Sequence, residues 1–300
     1  MRVLMTGATG LIGKALAAEL GERGHELSVL SRDPAAARAA LGVPAHAWDA
    51  TAEPAPSEAL EGVDAVAHLA GAPIARRWSA QAKREIRESR VAGTRNLVAG
   101  LEALHERPAT LASSSAVGIY GARHEEPLDE EAPTGYGFLP EICSAWEAEA
   151  DRAGALGMRV AKIRTGVVLD AGGGALAKML PPFRMGVGGP VAGGEQYVSW
   201  IHLRDLVAMF ATAIEQERWS GPINATAPEP VANRELSHEL GRVLHRPALL
   251  PVPAFALKLL YGEMSEVLTT GQRALPAKAL VLGYEFRYPK LHDALTALLG

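Results

Sequence analysis

The sequence predicts an α/β fold: a doubly wound parallel sheet, with a smaller and mainly helical lobe contributed by later segments. Three observations carry this. Strand-like and helix-like stretches alternate over the first two thirds of the chain. A glycine-rich turn joins the first strand to the first helix. Beyond Arg164 the texture changes to glycine- and proline-punctuated segments in which helical patterns come to dominate. The expected division is a larger core over 1–170, completed by about 196–228, with 171–195 and 229–300 forming a smaller lobe on the substrate side.

The strand candidates are Val3–Met5, Glu26–Leu30, Val63–Leu69, Thr110–Ser114, Arg159–Ile163 and, later, Ile223–Thr226. The helical patterns between and after them cover Leu11–Arg23, Ala80–Leu104, Leu139–Leu156 and Arg204–Glu217. Ser79 is placed to cap the second of these helices, and Gly24 to end the first. Gly172–Gly174, Pro181-Pro182 and Gly186–Gly194 make a loop-rich excursion before the chain returns at Val198–Leu203. Five prolines, from Pro247 to Pro289, then punctuate helical segments, and Leu291–Leu299 reads as a closing helix.

Composition narrows the class. The 300 residues are 48% hydrophobic, enough to bury a sizeable core. Charged residues are 21%, the two signs are interspersed and the formal net charge is −4, so neither a nucleic-acid nor an anionic-membrane footprint is expected. A single cysteine, Cys143, excludes an internal disulfide framework and fits a reducing compartment. The apolar run at the N-terminus is too short for a signal-peptide core, and no stretch approaches the roughly 18 apolar residues of a spanning helix. A cytoplasmic location is expected. The histidines show no H-E-x-x-H or Cys/His ligand spacing, so no metal site is expected.

The most informative stretch is Thr6-Gly7-Ala8-Thr9-Gly10-Leu11-Ile12-Gly13. Its glycines are spaced G-x-x-G-x-x-G, a variant of the dinucleotide fingerprint of Rossmann-type folds. Absent side chains permit a tight turn, close approach of backbone to a pyrophosphate, and close helix–strand packing. The helix beginning at Leu11 and Ile12 offers free N–H donors and a positive dipole end to phosphate. A P-loop is excluded, because the spacing from Gly7 to Gly13 is one residue too long and Ala15, not Ser or Thr, follows Lys14. About twenty residues past the last glycine, the second strand ends in Leu30-Ser31-Arg32. An acid there would accept from the ribose hydroxyls and repel a 2′-phosphate. Ser31 and Arg32 instead offer a hydroxyl and a planar guanidinium suited to phosphate, so NADP (as NADPH) is favoured over NAD. Arg32 reads alternatively as a solvated strand-end charge.

With these residues in view, the chain resembles the extended branch of the short-chain dehydrogenase/reductase superfamily, whose members include nucleotide-sugar epimerases and dehydratases. The residues that carry the resemblance are Gly7/Gly10/Gly13, His68-Leu69-Ala70-Gly71, Gly93-Thr94-Arg95-Asn96-Leu97, Ser113-Ser114-Ser115 with Tyr120-Gly121, and Ile201-His202 with Asp205. It is more similar still to the atypical "epimerase family protein" subgroup, through Arg77-Trp78, Trp146-Glu147, Arg164–Leu169, Gly172–Gly174 and the Leu250–Leu298 tail. The resemblance implies a dinucleotide laid over Gly7–Gly13, including Thr9. It places Leu69, Ala70 and the following Gly71 beside the adenosine and pyrophosphate, Arg90 where the wider superfamily often has asparagine, and Val168 near the nicotinamide. For Leu69, Ala70 and Val168, plain sheet packing is the other reading. Glu85 precedes Arg90 at a spacing taken as close enough to orient it or to meet the cofactor; the two read equally as a solvent-facing ion pair.

The resemblance also implies a tyrosine that moves the proton, with a lysine four residues on. No tyrosine of this chain has that lysine. Aligning Glu147 with the glutamate common after the motif puts Leu139 at the tyrosine's place and Cys143 at the lysine's. Ser115 remains as the hydroxyl toward a substrate, at the end of a strand where the crevice should open, or else as a tie between backbone segments. Tyr120 and Tyr136 are replacement acids to consider, and Cys143 is expected to pack. Phe183, Tyr197 and Trp200 are expected in a substrate wall. Two functions stay open: an NADP-dependent oxidoreductase or epimerase acting on a small, sugar-like molecule, or a non-catalytic NADPH-binding sensor or scaffold.

Overall fold

The computed structural model describes residues 1–300. Its centre is a seven-stranded sheet, all parallel, made of β1 (Arg2–Thr6), β2 (Glu26–Ser31), β3 (Ala45–Ala47), β4 (Ala65–His68), β5 (Thr110–Ala116), β7 (Arg159–Thr165) and β11 (Gly221–Ala225). Their order across the sheet is β11-β7-β5-β4-β1-β2-β3. The order reverses between β1 and β4, and in such sheets that switch point opens a crevice at the carboxyl ends of the strands.

Alternation along the strands builds two layers. Val3, Met5, Ala65, Ala67, Ala112, Ala161 and Ile163 point to one face, where α1 (Leu11–Glu22) and α7 (Leu203–Glu215) cover them. Leu4, Val66, Leu111 and Val160 point to the other, against α4 (Ala80–Glu102) and α5 (Phe138–Ala155). The short elements α2 (Pro34–Leu41) and α3 (Ser57–Leu60) fill connections. Ser79 caps α4 as its sequence position predicts, accepting from Ala82 N at 3.1 Å. Gly24, just past α1, takes φ +79°.

The later segments form β6 (Pro127–Leu128), β8 (Val167–Leu169), α6 (Gly174–Arg184), β9 (Tyr197–Val198), β10 (Trp200–His202), β12 (Val231–Ala232), α8 (Asn233–Val243), α9 (Ala254–Tyr261), α10 (Ser265–Thr269), β13 (Arg273–Ala274), α11 (Ala277–Val281) and α12 (Leu291–Leu299). A second apolar core joins α6, α8 and α12 through Leu176, Leu180, Phe183, Leu236, Leu240, Leu291 and Leu295. The expected boundary at 229 is crossed, however: Ala279, Leu282, Tyr284 and Phe286 pack back on the α1/α7 layer of the sheet. Asp205 holds that return, its carboxylate accepting from Arg287 N at 2.8 Å and Tyr288 N at 3.0 Å. His202 accepts from Arg204 N at the start of α7 and stacks on Tyr288, so both residues of the His202…Asp205 signature serve to hold the fold. No helix is long and apolar enough to cross a membrane.

Candidate active site

The glycine turn is built by backbone contact. Gly7 takes φ +67°, and a Cβ there would lie 2.6 Å from Leu69 C and 2.7 Å from Ala70 N. A Cβ at Gly13 would lie 2.3 Å from Gly7 O, so α1 presses directly on the turn. Gly10 differs: its Cβ would meet only Gly7 O, at 3.4 Å, and otherwise face open space. No side chain caps α1 at Gly10, whereas α2 is capped by Asp33 and α4 by Ser79. The N–H groups of the first turn, from Leu11 through Gly13, therefore point into an uncovered cradle beside exposed Thr9. The loop after β8 closes it from the far side. A Cβ at Gly173 would meet the Leu11 side chain at 3.1 Å, and Val168 joins the same apolar layer as Leu11 and Ile12.

Opposite the cradle, Thr6 organises the end of β4. Its Oγ1 accepts from Leu69 N at 3.2 Å and Ala70 N at 3.1 Å, so its single proton goes to His68 Nδ1 at 2.7 Å. His68 Nε2 then carries the ring proton and donates to Thr94 Oγ1 on α4 at 3.0 Å. Burial pushes the imidazole down to about 4, keeping it neutral. The Thr6–His68–Thr94 chain fixes the turn that flanks Gly7. His68 belongs to the His68–Gly71 motif, but its partners lie in other elements and left no local signal.

A pH dependence follows. The unfolded histidine titrates near 6.5 and the folded one near 4. Between those values the unfolded chain takes up a proton that the folded chain refuses. Stability is expected to fall by about 1.4 kcal/mol per pH unit as pH drops through this window, and to be untouched by this group above it. Urea denaturation at a series of pH values measures the slope; the same slope in His68→Gln would remove the assignment.

At β2's end, Ser31 and Asp33 form a local turn, with Ser31 Oγ donating to Asp33 O at 3.1 Å and accepting from Asp33 N at 3.2 Å. The Asp33 carboxylate is occupied in capping α2. Arg32 is exposed, and no carboxylate pairs with it.

Glu85 and Arg90 do not meet. Residues five apart on an α-helix stand about 140° apart around its axis. Glu85 instead pairs with Arg76 at 2.7 Å and accepts from Gln81 at 3.0 Å. Arg90 turns to the crevice side: its Nη1 donates to Ala72 O and Ile86 O, its guanidinium stands over the Trp146 ring, and a Cβ at Gly71 would touch it at 3.4 Å.

Ser115 also departs from expectation. β5 runs on to Ala116, so Ser115 lies within the strand, and alternation turns it with Leu111 and Ser113 toward the α4/α5 layer. It is buried and donates to Glu147 Oε1 at 2.6 Å. Arg164 holds the same carboxylate in a fork, Nε to Oε1 at 2.8 Å and Nη2 to Oε2 at 2.9 Å. The second arm of Arg164 donates to the Tyr120 hydroxyl at 2.9 Å, which donates in turn to Asn224 Oδ1 at 2.7 Å. In this geometry the Ser115 proton is committed inward rather than to a substrate oxygen. Burial pushes the Tyr120 phenol up to about 12, against the pull of Arg164. Burial likewise pushes Cys143 up to about 12, while Leu139 packs against Gly118. Tyr136 points to solvent. Of the expected substrate wall, Phe183 and Trp200 are core residues of the second lobe, and only Tyr197 stays partly exposed, under the Arg273 guanidinium.

Comparison with known proteins places this arrangement. Residues 3–225 match the model of the NAD dependent epimerase/dehydratase family. The chain belongs to that family. Residues 252–298 match a domain of unknown function (DUF1731), so the C-terminal tail belongs to the pattern the sequence resemblance pointed to. Among epimerase family proteins, the chloroplastic SDR39U1 homolog of Arabidopsis thaliana is 43% identical over 304 residues, covering 100% of this chain and 87% of that protein. YfhF of Bacillus subtilis is 38% identical over 301 residues, covering 100% and 98%. The crystal structure of human SDR39U1 (isoform2) with NADPH superposes with a TM-score of 0.89 at 33% identity, covering 100% of this chain and 99% of that one. A nucleoside-diphosphate sugar epimerase from Corynebacterium glutamicum gives a TM-score of 0.79 at 36% identity, this chain spanning 58% of it.

Proposed function

We propose that this member of the epimerase/dehydratase family binds NADP(H) in the crevice between β1 and β4. The open cradle over Gly10 is the observation that carries the reading. A glycine whose missing side chain leaves room, at the mouth of an uncapped helix, suits a pyrophosphate against the N–H groups of Leu11 and Ile12. Ser31 and Arg32 would hold the 2′-phosphate, since Asp33 is spent on α2 and the neighbouring Asp49 accepts from Thr51. Leu69, Ala70 and Gly71 would wall the adenosine and pyrophosphate, while Val168 and Arg90 would stand toward the nicotinamide. Glu85 would act only through Arg76. The human relative solved with NADPH supports the same cofactor.

When bound, the nicotinamide supplies or accepts a hydride. This chain's residues would exclude water and orient that ring, but Ser115, Tyr120 and Cys143 hold their protons away from it. A positioned acid contributes typically 10²–10⁴ in rate, so turnover of a small, sugar-like carbonyl substrate is expected to be slow. Arg90 is the remaining cation able to polarise such an oxygen. The inward-bonded proton donors favour a second reading, an NADPH-binding sensor or scaffold. A carbonyl and nucleotide-sugar screen following NADPH absorbance separates the two, as turnover abolished in Arg90→Met would support chemistry at this site. No turnover with tight NADPH binding would support the sensor.

The cofactor reading is tested by calorimetric titration. Arg32→Ala is expected to weaken NADPH roughly ten- to a hundredfold, the worth of one charge-assisted hydrogen bond, and to leave NADH nearly unchanged. Equal losses for both cofactors would remove the 2′-phosphate assignment.

A further inference from the structure

The sheet and the second core bury their apolar residues well, yet one face of the second lobe does not. Leu249 is 81% exposed, Phe255 and Leu259 75%, and Leu260 64%, with Met185 and Leu250 also standing free. These residues form one surface. The loop after α6 runs alongside the segment before α9: Leu250 N donates to Gly188 O, Val252 N to Pro190 O, and Ala192 N to Val252 O. α9 continues directly from there, burying only Leu257 and leaving Phe255, Leu259 and Leu260 on an unpartnered face. Contiguous exposed apolar area of this kind marks a contact site.

The segments that build it carry charges of one sign, and Glu263, the first acid beyond α9, is paired with Lys83. Residues 171–194 and 240–262 contain no aspartate or glutamate, in a chain of net charge −4. Arg184, Arg246 and Lys258 border the apolar face, and none has a carboxylate partner; Arg246 is held to Arg184 O by its Nε. The linear order of charges does not reveal this, because the two acid-free segments lie far apart in the chain and meet only in the fold.

We propose that this face docks on a lipid surface bearing anionic headgroups. A helix that presents Phe and Leu on one side with Lys and Arg beside them lies in the interfacial plane, its apolar side chains entering the acyl boundary. Lys258, between Leu257 and Leu259, can extend its ammonium to the headgroups along its own stem. A second copy of the chain fits less well. A two-fold contact centred on α9 would set Lys258 against Lys258 and gather the two arginine rims, while the first acid beyond the helix, Glu263, is already paired with Lys83. The docked face is tied to the crevice, since Arg77, on the loop following β4, donates to Leu259 O, and Lys83 of α4 pairs with Glu263 just beyond α9.

The test is vesicle flotation of the full chain, with phosphatidylcholine alone and with about one third phosphatidylglycerol. Each lysine or arginine near an anionic surface multiplies binding roughly fivefold, so three predict a preference on the order of a hundredfold for the anionic vesicles, released by salt. Phe255→Ser with Leu259→Ser should lower binding at least about tenfold, and so should the separate triple variant Arg184→Gln/Arg246→Gln/Lys258→Gln, since the interaction uses both area and charge. All five side chains are at the surface, and circular dichroism should be unchanged. Absence of flotation on both vesicles overturns the proposal. Equal binding to both vesicle types also overturns it. A concentration-dependent dimer in sedimentation velocity, lost in Phe255→Ser/Leu259→Ser, would assign the face to a second copy instead.

Discussion

Gly10→Val is expected to reduce NADPH affinity more than a hundredfold while costing about 1 kcal/mol or less of stability. The two effects separate because of where the new side chain goes. Gly10 has φ −75° and ψ 174°, an extended conformation open to any residue, and its Cβ would touch nothing closer than Gly7 O at 3.4 Å. The fold therefore loses only the modest preference of a helix N-cap for glycine over valine. The added methyl groups occupy the space above the first-turn N–H donors, which is where a pyrophosphate would sit. Gly13→Ala makes the contrast. Its Cβ would fall 2.3 Å from Gly7 O and 2.6 Å from Ala8 Cα, so backbone must move, at about 1–3 kcal/mol. Calorimetry with NADPH and thermal melts of the two variants give both quantities. Normal NADPH binding by a folded Gly10→Val would show that the glycine turn is not the pyrophosphate site.

Arg164→Met is expected to be the most destabilising single change in the crevice wall, by about 3–5 kcal/mol, the usual result of leaving a buried charge without its partner. Without the guanidinium, Glu147 keeps only the Ser115 hydroxyl at 2.6 Å and Lys162 at 3.7 Å. Lys162 is itself engaged with Asp151 at 2.8 Å. The Tyr120 hydroxyl and the Glu130 carbonyl also lose a donor. Ser115→Ala should cost less, about 1.5–3 kcal/mol, as it removes one hydrogen bond to a charged group. Adding Glu147→Gln to Arg164→Met removes the stranded charge and should recover part of the loss, so a double-mutant cycle by urea denaturation reads the coupling directly. Arg164→Met melting like the native protein would show that this network does not hold β5, β7 and α5 together.

The same network marks where sequence reasoning stopped. Ser115 was legible as a polar residue near the end of a central strand, and Trp146-Glu147 and Arg164 as motif residues. That Glu147 takes the Ser115 proton, and that Arg164 bridges to Tyr120, depends on residues brought together from separate elements. The inward turn of Ser115 follows from two further residues of strand, because in a period-2 structure the strand's extent decides which layer a side chain at its end enters. No lysine follows Tyr120 at four residues; Arg164 supplies a cationic neighbour from a different strand, yet burial outweighs it and keeps the phenol protonated.

What the sequence by itself determined is local or periodic. Alternating apolar patterns set the order of the principal strands and helices, the three-residue edge strand β3 excepted, and Ser79 and Gly24 marked helix ends. The spacing of Gly7, Gly10 and Gly13 set the turn, because only a missing Cβ allows Gly7 to touch Leu69 and Gly13 to touch Gly7. Each such feature is settled within a few residues by backbone sterics and hydrogen bonding. The tertiary structure decided whatever depends on the distance between remote segments. It chose Arg76 rather than Arg90 as the partner of Glu85, and it carried Ala279 through Phe286 back to the main sheet across the expected lobe boundary. It buried Phe183 and Trp200 in a second core while leaving the α9 face uncovered. An ion pair, a buried hydroxyl or a surface patch exists only once the chain has closed, since its energy depends on which groups burial has removed from water and which remain to meet them.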